Sequence, residues 1–176
     1  LAHSHGRPTA EIVASVLPPS RVGEALARID YLEVTDVTGV RALPGAVELM
    51  SALPEGSWAI VTSCGYDLAM ARMDAAGLPP APVLVTADDV TYGKPAPEPY
   101  LTGAALVGAP PANCLVVEDA PSGVAAARAA GMRVVGVATT HPADALAADI
   151  VVDSPARLRI AGSEPLVVTA TAAGAE

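Results

Sequence analysis

The chain has 176 residues and a net charge of −9, with ten basic side chains against nineteen acidic ones. That balance argues against a general nucleic-acid binder, which presents a basic face, and no apolar run approaches the roughly 20 residues that span a bilayer. Hydrophobic residues make up 52% of the chain but aromatics only 3%, and Phe is absent. The core must therefore be built from Val, Leu, Ile and Ala, which suits a parallel sheet buried between helices.

The predicted elements begin with helices. Over residues 9–17, Ile12, Val13, Val16 and Leu17 recur on one side at helical spacing. Pro18 and Pro19 end that run. Ser20 is expected to cap a second helix, in which Val22, Leu26 and Ile29 repeat. Up to about residue 38 the pattern is helical, without strands. From residue 44 it changes: PGAVELMSAL reads as a helix with Pro44 near its first turn, and WAIVTS (58–63) as a buried strand. YDLAMARMDAAG is a helix closed by Gly77, and APVLVTA a short strand. PEPYLTGAALVG is a helix ending at Gly108, CLVVED (114–119) a strand, and SGVAAARAAG a helix. RVVGVAT follows as a strand, PADALAA as a helix and DIVVDS as a strand, and the tail after about residue 160 holds one edge strand. Strands alternating with helices predict an α/β fold with a parallel sheet covered on both faces. Cys64 and Cys114 lie far apart and outside any CxxC pair. They read as reduced thiols rather than zinc ligands, and make the cytoplasm the expected location.

The strand ends are unusually polar. Ligands of open parallel sheets bind beyond the carboxyl ends of the strands. Here one strand ends on Thr62 and Ser63, another on Glu118 and Asp119, and TYGKPAPEPY between them sets Lys94 at the start of a helix. Each feature alone has a plainer reading: a helix cap, a solvated turn, an acidic first turn opposing a helix dipole. Their spacing of roughly 30 and 25 residues, one β-α unit each, brings them to one edge of one sheet. That set suits phosphoryl transfer. Thr62 and the N–H groups after it can donate to phosphate oxygens. Lys94 supplies a fixed cation, and Asp119 with Glu118 beside it suits magnesium, which takes one or two carboxylates plus water and substrate phosphate. Two carboxylates at a buried strand end are costly unless a cation compensates them.

These residues resemble the haloacid dehalogenase superfamily of phosphatases. IVTS (60–63) looks like its second motif, with Thr62 as the phosphate-binding hydroxyl; GKPAPEPY (93–100) looks like its third, with Lys94 as the motif lysine. VVEDAPSGVAAARAAGM (116–132) looks like its fourth and most specific motif, with Asp119 as magnesium ligand and Glu118 assisting. HGRPTAEI (5–12) and LPGAVELM (43–50) are similar to its sugar-phosphate phosphatase branch. The resemblance implies a Rossmann-like core with a small helical cap, Mg2+, and a phospho-aspartyl intermediate. It implies that residues 1–40 are the remainder of a cap incomplete at its N-terminus, and that 41–176 are the core. His5, Gly6 and Arg7 would then face the leaving group from the cap.

The family's first motif, which carries the nucleophilic Asp on the central strand, has no match in these residues. TDVTGV (35–40) has the wrong order and ends no apolar strand. The motif is expected upstream of Leu1, which leaves the 176-residue chain alone inactive. Strands 58–63 and 114–119 are then expected to flank a gap. The reading is a magnesium-dependent phosphatase for a small-molecule sugar phosphate, in which Thr62, Ser63 and Lys94 bind the phosphoryl group and Thr62 and Lys94 act in catalysis. Its rivals are a phosphosugar mutase of the same superfamily and an inactive fragment serving as a binding module. Neither nucleic acid nor membrane is expected as a partner, and the expected state is a monomer or weak homodimer.

Overall fold

Apolar periodicity builds the first elements, and the proline pair divides them. In the computed structural model, which describes residues 9–162 and 166–171, helix α1 spans Thr9–Val16 and α2 spans Pro19–Thr35. Ser20 does not cap α2. The N-cap is Pro18 in an extended conformation, with Pro19 at the first helical position, where its fixed φ suits the helix and its missing N–H costs nothing. The two helices pack on each other, and α2 packs on α4 (Tyr66–Ala75), where Arg72 Nη2 lies 3.4 Å from Glu33 Oε1. Among the described residues no helix is long and apolar enough to cross a membrane.

The rest alternates strands with helices. After α3 (Ala46–Ser51) come β1 (Ile60–Val61), α4, β2 (Leu84–Val85), α5 (Glu98–Leu106), β3 (Leu115–Glu118), α6 (Pro121–Ala129), β4 (Arg133–Val137) and β5 (Ile150–Val152). A last pair, β6 (Leu158–Ala161) and β7 (Val167–Ala170), forms an antiparallel hairpin where the sequence reading expects one edge strand. PADALAA does not form a helix. It makes only a short 3-10 turn at Ala143–Ala145, and Leu146 turns into the core. One turn of helix is too short to repay its nucleation cost, and burial of Leu146 decides the path instead.

The parallel strands fall into two groups. β1 pairs with β2, and β3, β4 and β5 form a separate sheet in that order. Among the described residues β1 and β3 are not hydrogen-bonded to each other. Ile60 N–H donates to Val83 O and Thr62 N–H to Val85 O. In a parallel pair alternate residues bond one neighbour, so the Val61 N–H and C=O face away from β2. Helix α5 packs against β1, β2 and α6 and so joins the two groups. Gly103 permits that approach: a Cβ there would sit 3.0 Å from the Val61 Cγ2.

Alternation along β4 sorts the core into two layers. Val134 packs with Tyr100, Val116, Val124 and Leu146 beneath α5 and α6. Val135 and Val137 pack with Val152 and Leu158, flanked by Leu49 of α3 and Val168 of the hairpin. Both faces are covered, which is why the strand reads as a continuous apolar run rather than an alternating one. Val117, in mid-β3, is 44% exposed, so cover is incomplete beside β3.

Candidate active site

Thr62 is the first residue beyond β1, and α4 starts shortly after it. Cys64 N–H donates to Thr62 Oγ1 at 3.1 Å. The hydroxyl therefore accepts from the backbone and keeps its own proton to donate elsewhere. Ser63 is exposed, and among the described residues the Ser63 and Gly65 N–H groups donate to no protein acceptor. Both lie just before α4, where the Tyr66 N–H donates to Asp88 Oδ2 at 2.8 Å and the helix dipole favours negative charge.

Lys94 arrives on a loop held by two carboxylates that the sequence reading passes over. Asp89 Oδ2 accepts from the Thr86 N–H and Oγ1, both at 2.8 Å, and these bonds hold the Asp89 carboxyl below the ordinary range. Glu98, in the first turn of α5, accepts from the Thr91 and Tyr92 N–H groups at 2.8 and 2.9 Å. Between these clamps Lys94 reaches across the divided sheet. Its Nζ donates to Val61 O at 3.1 Å and to Glu118 Oε1 at 2.6 Å, and lies 4.8 Å from the centre of the Tyr100 ring. The Lys94 and Glu118 side chains are 10% and 8% exposed.

Glu118 is fully engaged. Oε1 accepts from Lys94 and from the Tyr100 hydroxyl at 2.9 Å, and Oε2 accepts from the Asp119 and Ala120 N–H groups at 2.7 and 2.8 Å. Burial opposes its charge. The Lys94 ammonium and these hydrogen bonds outweigh burial and hold the carboxyl below its ordinary pKa. Burial, and then the Glu118 charge, push the Tyr100 phenol well above its ordinary range, so it stays a donor. Space for the carboxylate comes from Gly123, where a Cβ would overlap it.

Asp119 differs from its neighbour. Its Oδ2 accepts from the Thr140 hydroxyl at 2.8 Å, while Oδ1 receives no hydrogen bond among the described residues. No group of three or more His, Cys, Asp or Glu side chains fit to hold a metal occurs among those residues. Asp119 Oδ1 is thus a carboxylate oxygen of the kind a hard cation takes. The sequence-predicted residues Thr62, Ser63, Lys94, Glu118 and Asp119 thus gather where β1 and β3 end. His5, Gly6 and Arg7 lie outside the described residues. Tyr100, Glu98 and Gly123 belong to the same network. Tyr100 lies in the segment resembling the third motif and Gly123 in that resembling the fourth, but neither carries a charge that marks a function.

Residues 13–131 match the model of the haloacid dehalogenase-like hydrolases. The chain belongs to this family. The match contains Thr62, Lys94, Glu118 and Asp119. Hexitol phosphatase A of Escherichia coli is 46% identical over 125 residues, which cover 70% of this chain and 57% of the relative. Glycerol-1-phosphate phosphohydrolase 2 of Saccharomyces cerevisiae is 35% identical over 174 residues, covering 90% of this chain and 69% of the relative. A solved hydrolase from Pseudomonas syringae superposes with a TM-score of 0.67 at 33% identity, covering 82% of this chain and 73% of that one. The fold is accordingly the Rossmann-like α/β fold of haloacid dehalogenase-like hydrolases, with strand β3 of its parallel sheet carrying Glu118 into the site.

Proposed function

We propose that this chain carries most of the active site of a magnesium-dependent phosphatase for small sugar phosphates. The observation that supports it most strongly is the reach of Lys94 Nζ from the Val61 carbonyl at one strand end to Glu118 at another. A lysine so fixed has one ammonium face left for phosphoryl oxygens and cannot swing away. Thr62 Oγ1–H and the Ser63 and Gly65 N–H groups supply donors on the β1 side. Glu118, with both oxygens occupied, holds Lys94 in place. Asp119 is the carboxylate left to take magnesium, which would offset negative charge on the phosphoryl oxygens.

The nucleophile in this reading is an aspartate on a strand upstream of these residues, seated between β1 and β3. Among the described residues the far side of β1 meets only the Lys94 ammonium, at Val61 O, and β3 has no strand on its side away from β4, which supports that placement. Its carboxylate attacks phosphorus as the bond to the sugar oxygen breaks, a general acid gives that oxygen its proton, and water then cleaves the acyl phosphate, returning a proton to that acid and releasing the aspartate and inorganic phosphate. Small polyol phosphates fit the two relatives named above. Those relatives are named a phosphatase and a phosphohydrolase, which supports hydrolysis; the test below separates it from mutase chemistry.

The test is phosphate release from glycerol 1-phosphate and a hexitol phosphate by the protein extended upstream through that strand. Magnesium-dependent release, lost in excess chelator and in Lys94→Ala, is the expected result. Activity that persists in chelator contradicts the metal assignment. Phosphate kept in the sugar, with turnover requiring an added sugar bisphosphate, identifies a mutase.

A further inference from the structure

A polar pair beyond the span that the family model matches grips Asp119 from the side. β3 and β4 run parallel with Glu118 opposite Gly136, so the loop after Val137 passes beside Asp119. That loop is pinned where it leaves the sheet: Ala138 N–H donates to Val152 O and Thr139 N–H to Val137 O, both at 2.8 Å. On its far side Pro142 leads into the turn at Ala143–Ala145. Thr140 Oγ1 stands 2.8 Å from Asp119 Oδ2 and 3.0 Å from the Asp119 carbonyl. His141 Nδ1 stands 3.2 Å from the same carbonyl and 3.0 Å from Thr140 Oγ1.

One proton arrangement satisfies three of the four contacts and leaves Thr140 Oγ1 and the Asp119 carbonyl oxygen sharing the His141 proton. A threonine hydroxyl has one proton, and carboxylate and carbonyl oxygens only accept. Thr140 O–H then donates to Asp119 Oδ2. His141 Nδ1–H is shared between Thr140 Oγ1 and the Asp119 carbonyl. The terminal torsion of an aspartate is broad, so an unrestrained carboxylate would sample many orientations. Here the loop fixes one oxygen and the main-chain carbonyl and leaves Oδ1 open.

We infer that Thr140 and His141 are positioning residues that hold Asp119 with Oδ1 turned to the cation. This rests on Asp119 being a metal ligand, as proposed above. Groups that orient a ligating carboxylate typically change metal affinity by roughly 10–100-fold. Both residues lie outside the matched span of 13–131.

The experiment is calorimetric titration with magnesium chloride alone, on the protein extended upstream, for the wild type and for Asp119→Asn, Thr140→Val, Thr140→Ala and Thr140→Ser. Thr140 is exposed, so its variants should melt with the wild type when no metal is present. Thr140→Val and Thr140→Ala should each weaken magnesium binding about 10–100-fold. Thr140→Ser, which keeps the hydroxyl, should bind as the wild type does. At saturating magnesium, KM for the sugar phosphate should be unchanged in all three. Wild-type affinity in Thr140→Val and Thr140→Ala, alongside loss in Asp119→Asn, overturns the positioning role and leaves the metal assignment intact. Failure of the wild type to bind magnesium, or wild-type binding by Asp119→Asn, overturns the metal assignment and this inference with it.

Discussion

Glu118 decides the electrostatics of the site. The pair it makes with Lys94 is shielded on both sides, and removing one partner of such a pair typically costs about 3–5 kcal/mol. Glu118→Gln should destabilise the protein by that order in chemical denaturation, although the side chain keeps its size. The acid limb of stability carries the same signature. The folded-state pKa lies below the ordinary value of 4.5, so the contribution is fully present above that value. It is lost as pH falls through the lower folded value, where the folded carboxylate finally takes up a proton. Melting temperature measured downward from pH 7 should drop below about pH 4.5 in the wild type, and this part of the fall should flatten in Glu118→Gln. A parallel fall in both proteins would show that Glu118 is not held below its ordinary value. At this scale Thr62 and Asp119 were legible because polar residues are unusual at the ends of apolar strands, and Lys94 because its spacing from both is one β-α unit. Tyr100 was not, since an aromatic residue in an alanine-rich helix reads as core, and only the fold brings its hydroxyl to Glu118.

Two glycines separate the elements that carry the site from those that only support it. Gly123, in the first turn of α6, leaves the space that the Glu118 carboxylate occupies. Gly123→Ala should expel that carboxylate and lower both melting temperature and turnover. Gly23, within α2, has open space around its Cβ position, and Ala there should raise stability by roughly 0.5–1 kcal/mol. Urea denaturation of the two variants checks the contrast, and stabilisation by Gly123→Ala would contradict the packing. The helices and the strands β3 and β4 were readable because helical spacing and continuous apolar runs fix their type, while the pairing of β3 with β4 comes from the structure. The turn at Ala143–Ala145 was misread as a helix because its alanines favour helix locally while Leu146 is drawn into the core. The β6–β7 hairpin was half seen, because its pairing lies between segments whose alternation is weak.

Across the whole molecule the divided sheet is the feature that ties fold to function. Among the described residues, two groups of parallel strands meet through α5 and through Lys94 rather than through a shared ladder. Unsatisfied backbone groups in a buried edge cost about 1–3 kcal/mol each, so a strand entering between β1 and β3 should add stability as well as the nucleophile. The sequence exposed this point through the first motif that it lacks, and the divided pairing is consistent with it. The chain spans 57% and 69% of the two relatives compared above. The most direct measurement is phosphate release from glycerol 1-phosphate with magnesium, made side by side on the 176-residue chain and on the protein extended upstream. The extended protein should melt higher and turn over, and the shorter chain should release no phosphate. Equal hydrolysis by the shorter chain, abolished by Asp119→Asn, would show that a residue within it is the nucleophile and that no upstream strand is needed.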